Sequence, residues 1–187
     1  MQLGEQGVLE NVKVVHTKSG RRYLRTTANI TSVDNLEKIA ITCNDKDYLL
    51  FDYDYLYLKA INGKVKRKWK ACSGMPGSTV KDQDKKDFGP LPEGIYTVNF
   101  DKTLDYKSNT GLWDAFKWKV KKLNWGLVAT PLLPDSKNKM YGRGDFFIHG
   151  GNVPGSEGCI DLVDLNQDFH AFVRLYHRNF KLIVRYK

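Results

Sequence analysis

The residues able to carry chemistry lie in the segment GDFFIHGGNVPGSEGCIDL, residues 144–162. His149 ends a short apolar run, and Cys159 follows ten positions later. Gly150, Gly151, Gly155 and Gly158 lie between them, with Pro154 and Ser156. A free thiol titrates near ~8.5 and is mostly protonated at neutral pH. A histidine within hydrogen-bond reach takes that proton and leaves a nucleophilic thiolate. The glycines let the chain fold back so that Cys159 meets His149, and they leave backbone open beside both. The N–H groups of Gly158 and Cys159 are then candidate donors to the oxyanion formed when Cys159 attacks a carbonyl. A side chain at position 158 would crowd that approach. The chemistry in view is acyl transfer through cysteine.

Plainer readings stand beside this one. A lone cysteine is most often a small buried hydrophobe, and a lone histidine at a strand end is usually a satisfied polar residue. The glycine-rich setting separates Cys159 from Cys43 and Cys72, which are assigned to the core. His16, His170 and His177 are set aside, the last two as surface or cap residues on or after a helix. Three cysteines are too few and too scattered for a disulfide scaffold or a structural zinc site. No His/Asp/Glu cluster has metal-ligand spacing, so neither metal nor cofactor is expected.

Strands must position the pair. Residues 48–61, YLLFDYDYLYLKAI, are aromatic and branched, as strands are. Asn62-Gly63 follows, a hairpin signal in which both turn residues are expected at positive φ. In the next run Val65, Arg67, Trp69 and Ala71 alternate with Lys64, Lys66, Lys68 and Lys70, predicting a solvated lysine face. A long loop, SGMPGSTVKDQDKKDFGPLPEG, leads to a strand at Ile95–Phe100. Residues 116–125 alternate again, and Asp145–His149 reads as a buried strand. Asp164 is the expected N-cap of one helix, with Leu165, Phe169, Phe172, Val173 and Tyr176 on its apolar stripe. A strand at 181–186 closes the chain. The expectation is a mainly β fold, a sandwich or open barrel with one packed helix. Residues 1–50 read as an N-terminal arm or peripheral strands, and 51–187 as the catalytic domain.

The chain has 187 residues, of which 41% are hydrophobic and 27% charged, enough for a buried core. Its net charge of +9 suits a polyanionic partner, whether nucleic acid, anionic lipid or cell wall. No run approaches the ~18 apolar residues of a membrane span. The start, MQLGEQGVLENVKVV, lacks the basic and apolar regions of an export signal.

The block IHGG…GSEGCIDL resembles the catalytic signature of the YkuD-like L,D-transpeptidases. The upstream WKACSGMPGS…FGPLPEGIYTV is similar to a subgroup of that superfamily. A Ser-Gly segment, a G-P-x-P-x-G-x-Y stretch and a final H-G…S-x-G-C-I occur there in this order. That subgroup includes antibacterial effectors delivered by type VI secretion, which act on peptidoglycan stem peptides. The resemblance covers about residues 55–165. It implies an L,D-transpeptidase-like β-sandwich or open barrel, with Cys159 as nucleophile and His149 as its base. Gly150 would offer a backbone carbonyl to orient the imidazole, and Ser156 would shape the loop beside Gly158. Glu157 and Asp161 depart from the usual pattern, which has histidine and arginine there. Arg143, six residues before His149, is the expected replacement fork for a substrate carboxylate, with Gly151 as a further substrate contact.

The implied reaction releases D-alanine from tetrapeptide stems, as an L,D-carboxypeptidase, or exchanges it, as an L,D-transpeptidase. The implied setting is the periplasm of a target bacterium, with a cognate immunity protein as a partner. An NlpC/P60-type peptidase is a weaker reading, since those folds usually place cysteine before histidine. A non-enzymatic basic module would use the lysine face and Trp69, Trp113, Trp118 and Trp125 for stacking on nucleic acid or wall polymer. Most of those aromatics are more simply core, and nucleic acid is not the expected partner.

Overall fold

The computed structural model describes residues 12–16, 22–26, 43–105, 125–176 and 178–187. The chain divides into two compact units, residues 1–45 and 46–187. In the first, β1 (Val12–His16) pairs antiparallel with β2 (Arg22–Thr26).

The second unit is built on a sheet of nine described strands. These are β3 (Tyr48–Phe51), β4 (Tyr55–Lys59), β5 (Val65–Lys70), β6 (Gly94–Val98), β7 (Leu104–Asp105), β8 (Val128–Pro134), β9 (Phe147–His149), β10 (Ile160–Asp161) and β11 (Phe180–Val184). The order is β10-β9-β8-β6-β11-β3-β4-β5, with β7 added to β8. β10–β9 and β11–β3 are parallel, and the other neighbours are antiparallel. Just past β5, the Cys72 N–H donates to the Asp161 carbonyl (2.9 Å) and the Asp161 N–H to the Cys72 carbonyl (2.8 Å). These bonds join the two ends of the strand order, so the sheet curls back on itself. The fold is mainly β with one described α-helix, as the sequence predicts.

Three local expectations change. The run 48–61 is two antiparallel strands, because the Asp52 carboxylate accepts the N–H groups of Asp54 (3.3 Å) and Tyr55 (3.0 Å) and turns the chain. At Asn62-Gly63 only the glycine has positive φ, +83°. The loop is three residues long: Gly63 N–H bonds Ala60 C=O at 2.8 Å, and Ala60 N–H bonds Lys64 C=O at 2.9 Å. A turn of that length needs positive φ only at its final glycine. Asp164 is not an N-cap. It sits inside a 3₁₀ turn, Val163–Leu165, that runs into α1 (Asn166–Tyr176). The carboxylate serving that entry is Asp161, which accepts the Val163 N–H at 2.8 Å.

The core is Leu49, Phe51, Leu56, Leu58, Val98, Ile148, Ile160 and Leu182 from the sheet, with Phe169 and Val173 from α1. Trp69 is buried between them, edge-on to Phe169 at 5.2 Å and tilted against Phe172 at 5.3 Å. Its indole N–H donates to Asp168, which also holds Arg67. In β5 only Trp69 is buried, and Val65 is exposed.

Candidate active site

β9 and β10 set the candidate pair. They run parallel in the register Ile160↔Ile148 and Asp161↔His149. Cys159, immediately before β10, falls beside Phe147, whose N–H points to its sulfur at 3.4 Å. Strand periodicity puts Phe147 and His149 on one face, and the register puts Cys159 on that face one diagonal step from His149. Cys159 is 6% exposed and lines a cleft of about 510 Å³ with Met75, Trp125, Phe146, Pro154 and Glu157. His149 is fully buried behind it.

The imidazole is fixed from two sides. Nδ1 lies 3.2 Å from the Gly150 carbonyl oxygen. A carbonyl only accepts, so this bond requires the proton on Nδ1 and makes Nε2 the basic nitrogen of the neutral ring. Trp125 stacks on the flat surface of the ring, with centroids 4.7 Å apart and planes at 5°. Gly150 needs to be glycine: a Cβ there would meet the Val163 carbonyl oxygen and Asn166 Cβ, each at 2.4 Å.

The chain at Cys159 is held by its carbonyls. Ser156 Oγ donates to the Cys159 carbonyl at 2.6 Å, and Ser73 Oγ to the Gly158 carbonyl at 3.1 Å. Gly158 has φ +112°, and a Cβ would lie 2.4 Å from Arg143 Nη2 and 2.6 Å from Phe146 Cε1. Glycine is thus required there by backbone conformation and by packing together. Asp161 is fully buried and accepts the Gly155 N–H at 3.0 Å besides that of Val163. Burial pushes its carboxyl up to about 6, against two hydrogen bonds that pull it down.

Two expected substrate contacts have other work. Arg143 is buried, and both terminal nitrogens donate to backbone: Nη1 to Gln83 and Pro90 carbonyls (2.6 and 2.7 Å), Nη2 to Gly89 and Glu157 carbonyls (2.8 and 3.1 Å). No pair of donors remains for bidentate capture of a carboxylate, so Arg143 is not the expected fork. The Gly151 N–H donates to the Val163 carbonyl at 3.2 Å, and Gly151 is not part of the cleft lining. The charged side chains that do line it are acidic: Asp87, Asp145 and Glu157, all exposed.

The other candidates separate clearly. Cys72 is half-buried, and burial together with the nearby Asp161 charge raises its thiol pKa, which disfavours a thiolate. Cys43 is also half-buried, so neither thiol is the core residue expected. His170 is a buried residue and no surface group. It bonds Thr130 Oγ1 (3.0 Å) and the Asn166 carbonyl (2.9 Å), and burial takes its pKa down to about 4. His177, Trp113, Trp118 and the alternating run before Trp125 lie outside the described residues. On the lysine face, Lys66 pairs with Asp47 at 2.6 Å and Lys70 with Asp54 at 3.7 Å. Trp69, buried in the core, cannot stack on a base. Sequence reading missed the stacking of Trp125 on His149, the bond from Ser73 to the Gly158 carbonyl and the four carbonyls that Arg143 holds. The Ser-Gly and Gly-Pro motifs hinted at 73 and 89–90 without giving a role.

Residues 68–186 match the family model for the Tlde1 domain. The chain therefore belongs to the Tlde1 domain family, the L,D-transpeptidase effector family of type VI secretion. Residues 1–39 match a second model, a protein of unknown function (DUF3892). No curated protein matches the chain. A solved structure, the L,D-transpeptidase from Xylanimonas cellulosilytica DSM 15894, aligns with TM-score 0.42 and 17% identity, covering 76% of this chain. The alignment spans 62% of that structure's chain, under two thirds of its length.

Proposed function

We propose that the second unit is a cysteine-dependent acyltransferase of peptidoglycan stem peptides, an L,D-carboxypeptidase with L,D-transpeptidase exchange as its variant. The observation that carries the reading is the β9–β10 register, which sets Cys159 at the cleft and His149 behind it with Nε2 as its basic nitrogen. In the proposed cycle the Cys159 sulfur forms a C–S bond to the carbonyl carbon at the L-centre of the stem diamino acid. The thiol proton passes to His149 Nε2. The tetrahedral oxyanion collapses, the C–N bond breaks, and His149 returns the proton to the departing D-alanine amine. Water then hydrolyses the thioester to a tripeptide, or a D-amino acid takes its place.

The acidic lining of Asp87, Asp145 and Glu157 complements the ammonium of a diamino acid. Delivery to the periplasm of a target bacterium, with an immunity protein that plugs the cleft in the producer, is part of the same proposal. Among the described residues, no helix is long and apolar enough to cross a membrane. The test is mass spectrometry of tetrapeptide muropeptides incubated with the protein. The readout is release of free D-alanine together with the shortened tripeptide, and Cys159→Ala is expected to abolish both. A Cys159→Ala protein as active as the parent would end this reading.

A further inference from the structure

Two motifs remain unused by this chemistry: the Ser73-Gly74 segment and the Gly89-Pro90 stretch. Both converge on the loop before the nucleophile. Ser73 is 2% exposed; its Oγ accepts the Leu91 N–H at 2.9 Å and so directs its own proton to the Gly158 carbonyl at 3.1 Å. Arg143 ties the Gly89 and Pro90 carbonyls to the Glu157 carbonyl, which Nη2 reaches at 3.1 Å.

The consequence follows from peptide geometry. None of the described peptide bonds is cis. In a trans peptide the C=O and N–H of one plane point in opposite directions. The Gly158 carbonyl shares a plane with the Cys159 N–H, and the Glu157 carbonyl shares a plane with the Gly158 N–H. A side chain that fixes either carbonyl therefore aims the N–H behind it.

We propose that Ser73 and Arg143 are positioning residues for an oxyanion site made of the Cys159 and Gly158 N–H groups, each holding the carbonyl at the rear of one donor. This rests on the acyl-transfer reading above. Preorganised donors act where charge develops, so their aim affects the tetrahedral state more than the bound substrate. Arg143 thus serves the reaction from behind the loop, without touching substrate. The fold also explains why its guanidinium is the right group. Five donors on a planar frame can span four carbonyls from three segments, and a lysine ammonium cannot.

The test compares two reactions of the same sulfur. Acylation by a tetrapeptide stem passes through an oxyanion; alkylation by iodoacetamide does not. Ser73→Ala is expected to lower kcat roughly 10- to 100-fold with KM little changed, less than the ~10²–10³ typical for deleting an oxyanion donor. Affinity for a peptide aldehyde, which forms a tetrahedral adduct on the thiol, should fall in proportion. The alkylation rate at Cys159, read on its own peptide by mass spectrometry, should stay within about twofold, and Ser73→Thr should restore part of kcat. Arg143→Lys carries the same comparison to the Gly158 amide and serves alone if Ser73→Ala does not fold. An unchanged kcat, or alkylation falling in step with acylation, overturns the proposal. Cys159→Ala retaining turnover would instead overturn the underlying reading, so the two failures are distinct.

Discussion

The indole of Trp125 lies flat on the imidazole of His149, with centroids 4.7 Å apart and an angle of 5° between planes. The same indole packs on Phe147 at 5.2 Å, so one side chain covers two alternate residues of β9. One contact at the ring edge, Gly150 on Nδ1, and one on the ring surface, Trp125, leave the imidazole little freedom to tilt. Aromatic contacts of this kind contribute about 0.5–1.5 kcal/mol. Trp125→Leu should lower kcat/KM for stem-peptide cleavage about tenfold, and Trp125→Phe by less. Steady-state kinetics on both variants checks the order.

Asp161 links the site to pH through stability. Its carboxyl titrates at about 6 in the folded protein against 3.8 as its ordinary value. Below pH ~4 both folded and unfolded chains hold the proton; between the two values only the folded chain does. This residue therefore favours folding at low pH, and its contribution is lost as pH rises through about 6. The loss is at most about 3 kcal/mol. Asp161→Asn should flatten that part of the profile. Urea unfolding of parent and variant at pH 4 and pH 7 measures it: a parent curve that follows the variant's at both pH values would contradict the assignment.

Gly158→Ala tests the chain just before Cys159. The alanine would have to keep φ +112°, and its methyl would have to displace Arg143 Nη2 and the Phe146 ring. Backbone strain of about 1–3 kcal/mol adds to about 1–3 kcal/mol of overpacking. The variant should unfold at lower urea and lose most activity. Gly142→Ala also sits at positive φ, +70°, but meets no neighbouring atom, so it should carry the strain term alone.

Charge at the cleft should set substrate preference. Neutralising Glu157 and Asp145 together (Gln and Asn) should raise KM severalfold for a stem peptide with a free side-chain amine. For the same peptide acetylated on that amine, KM should barely move. Equal effects on both substrates would show that the carboxylates do not read the amine.

What the sequence alone determined is local. Types and spacing marked His149, Gly150, Ser156, Gly158 and Cys159 as one block. Aromatic and branched runs marked β3 to β6, β9 and β11, and the 3.6-residue stripe marked α1, because each signal is written within a few neighbouring residues. Tertiary structure decided what depends on distant partners. Asp52, by capturing two N–H groups, split one apparent strand into β3 and β4. Arg143 looked like an open cation until three carbonyls of the long loop after β5 and one from the loop before Cys159 closed on it, and His170 looked exposed until Thr130 of β8 packed against it. Ser73 lies 85 residues from the carbonyl it holds. A hydrogen bond across that separation leaves no periodic trace in the chain, and only the curl of the sheet brings its two ends together.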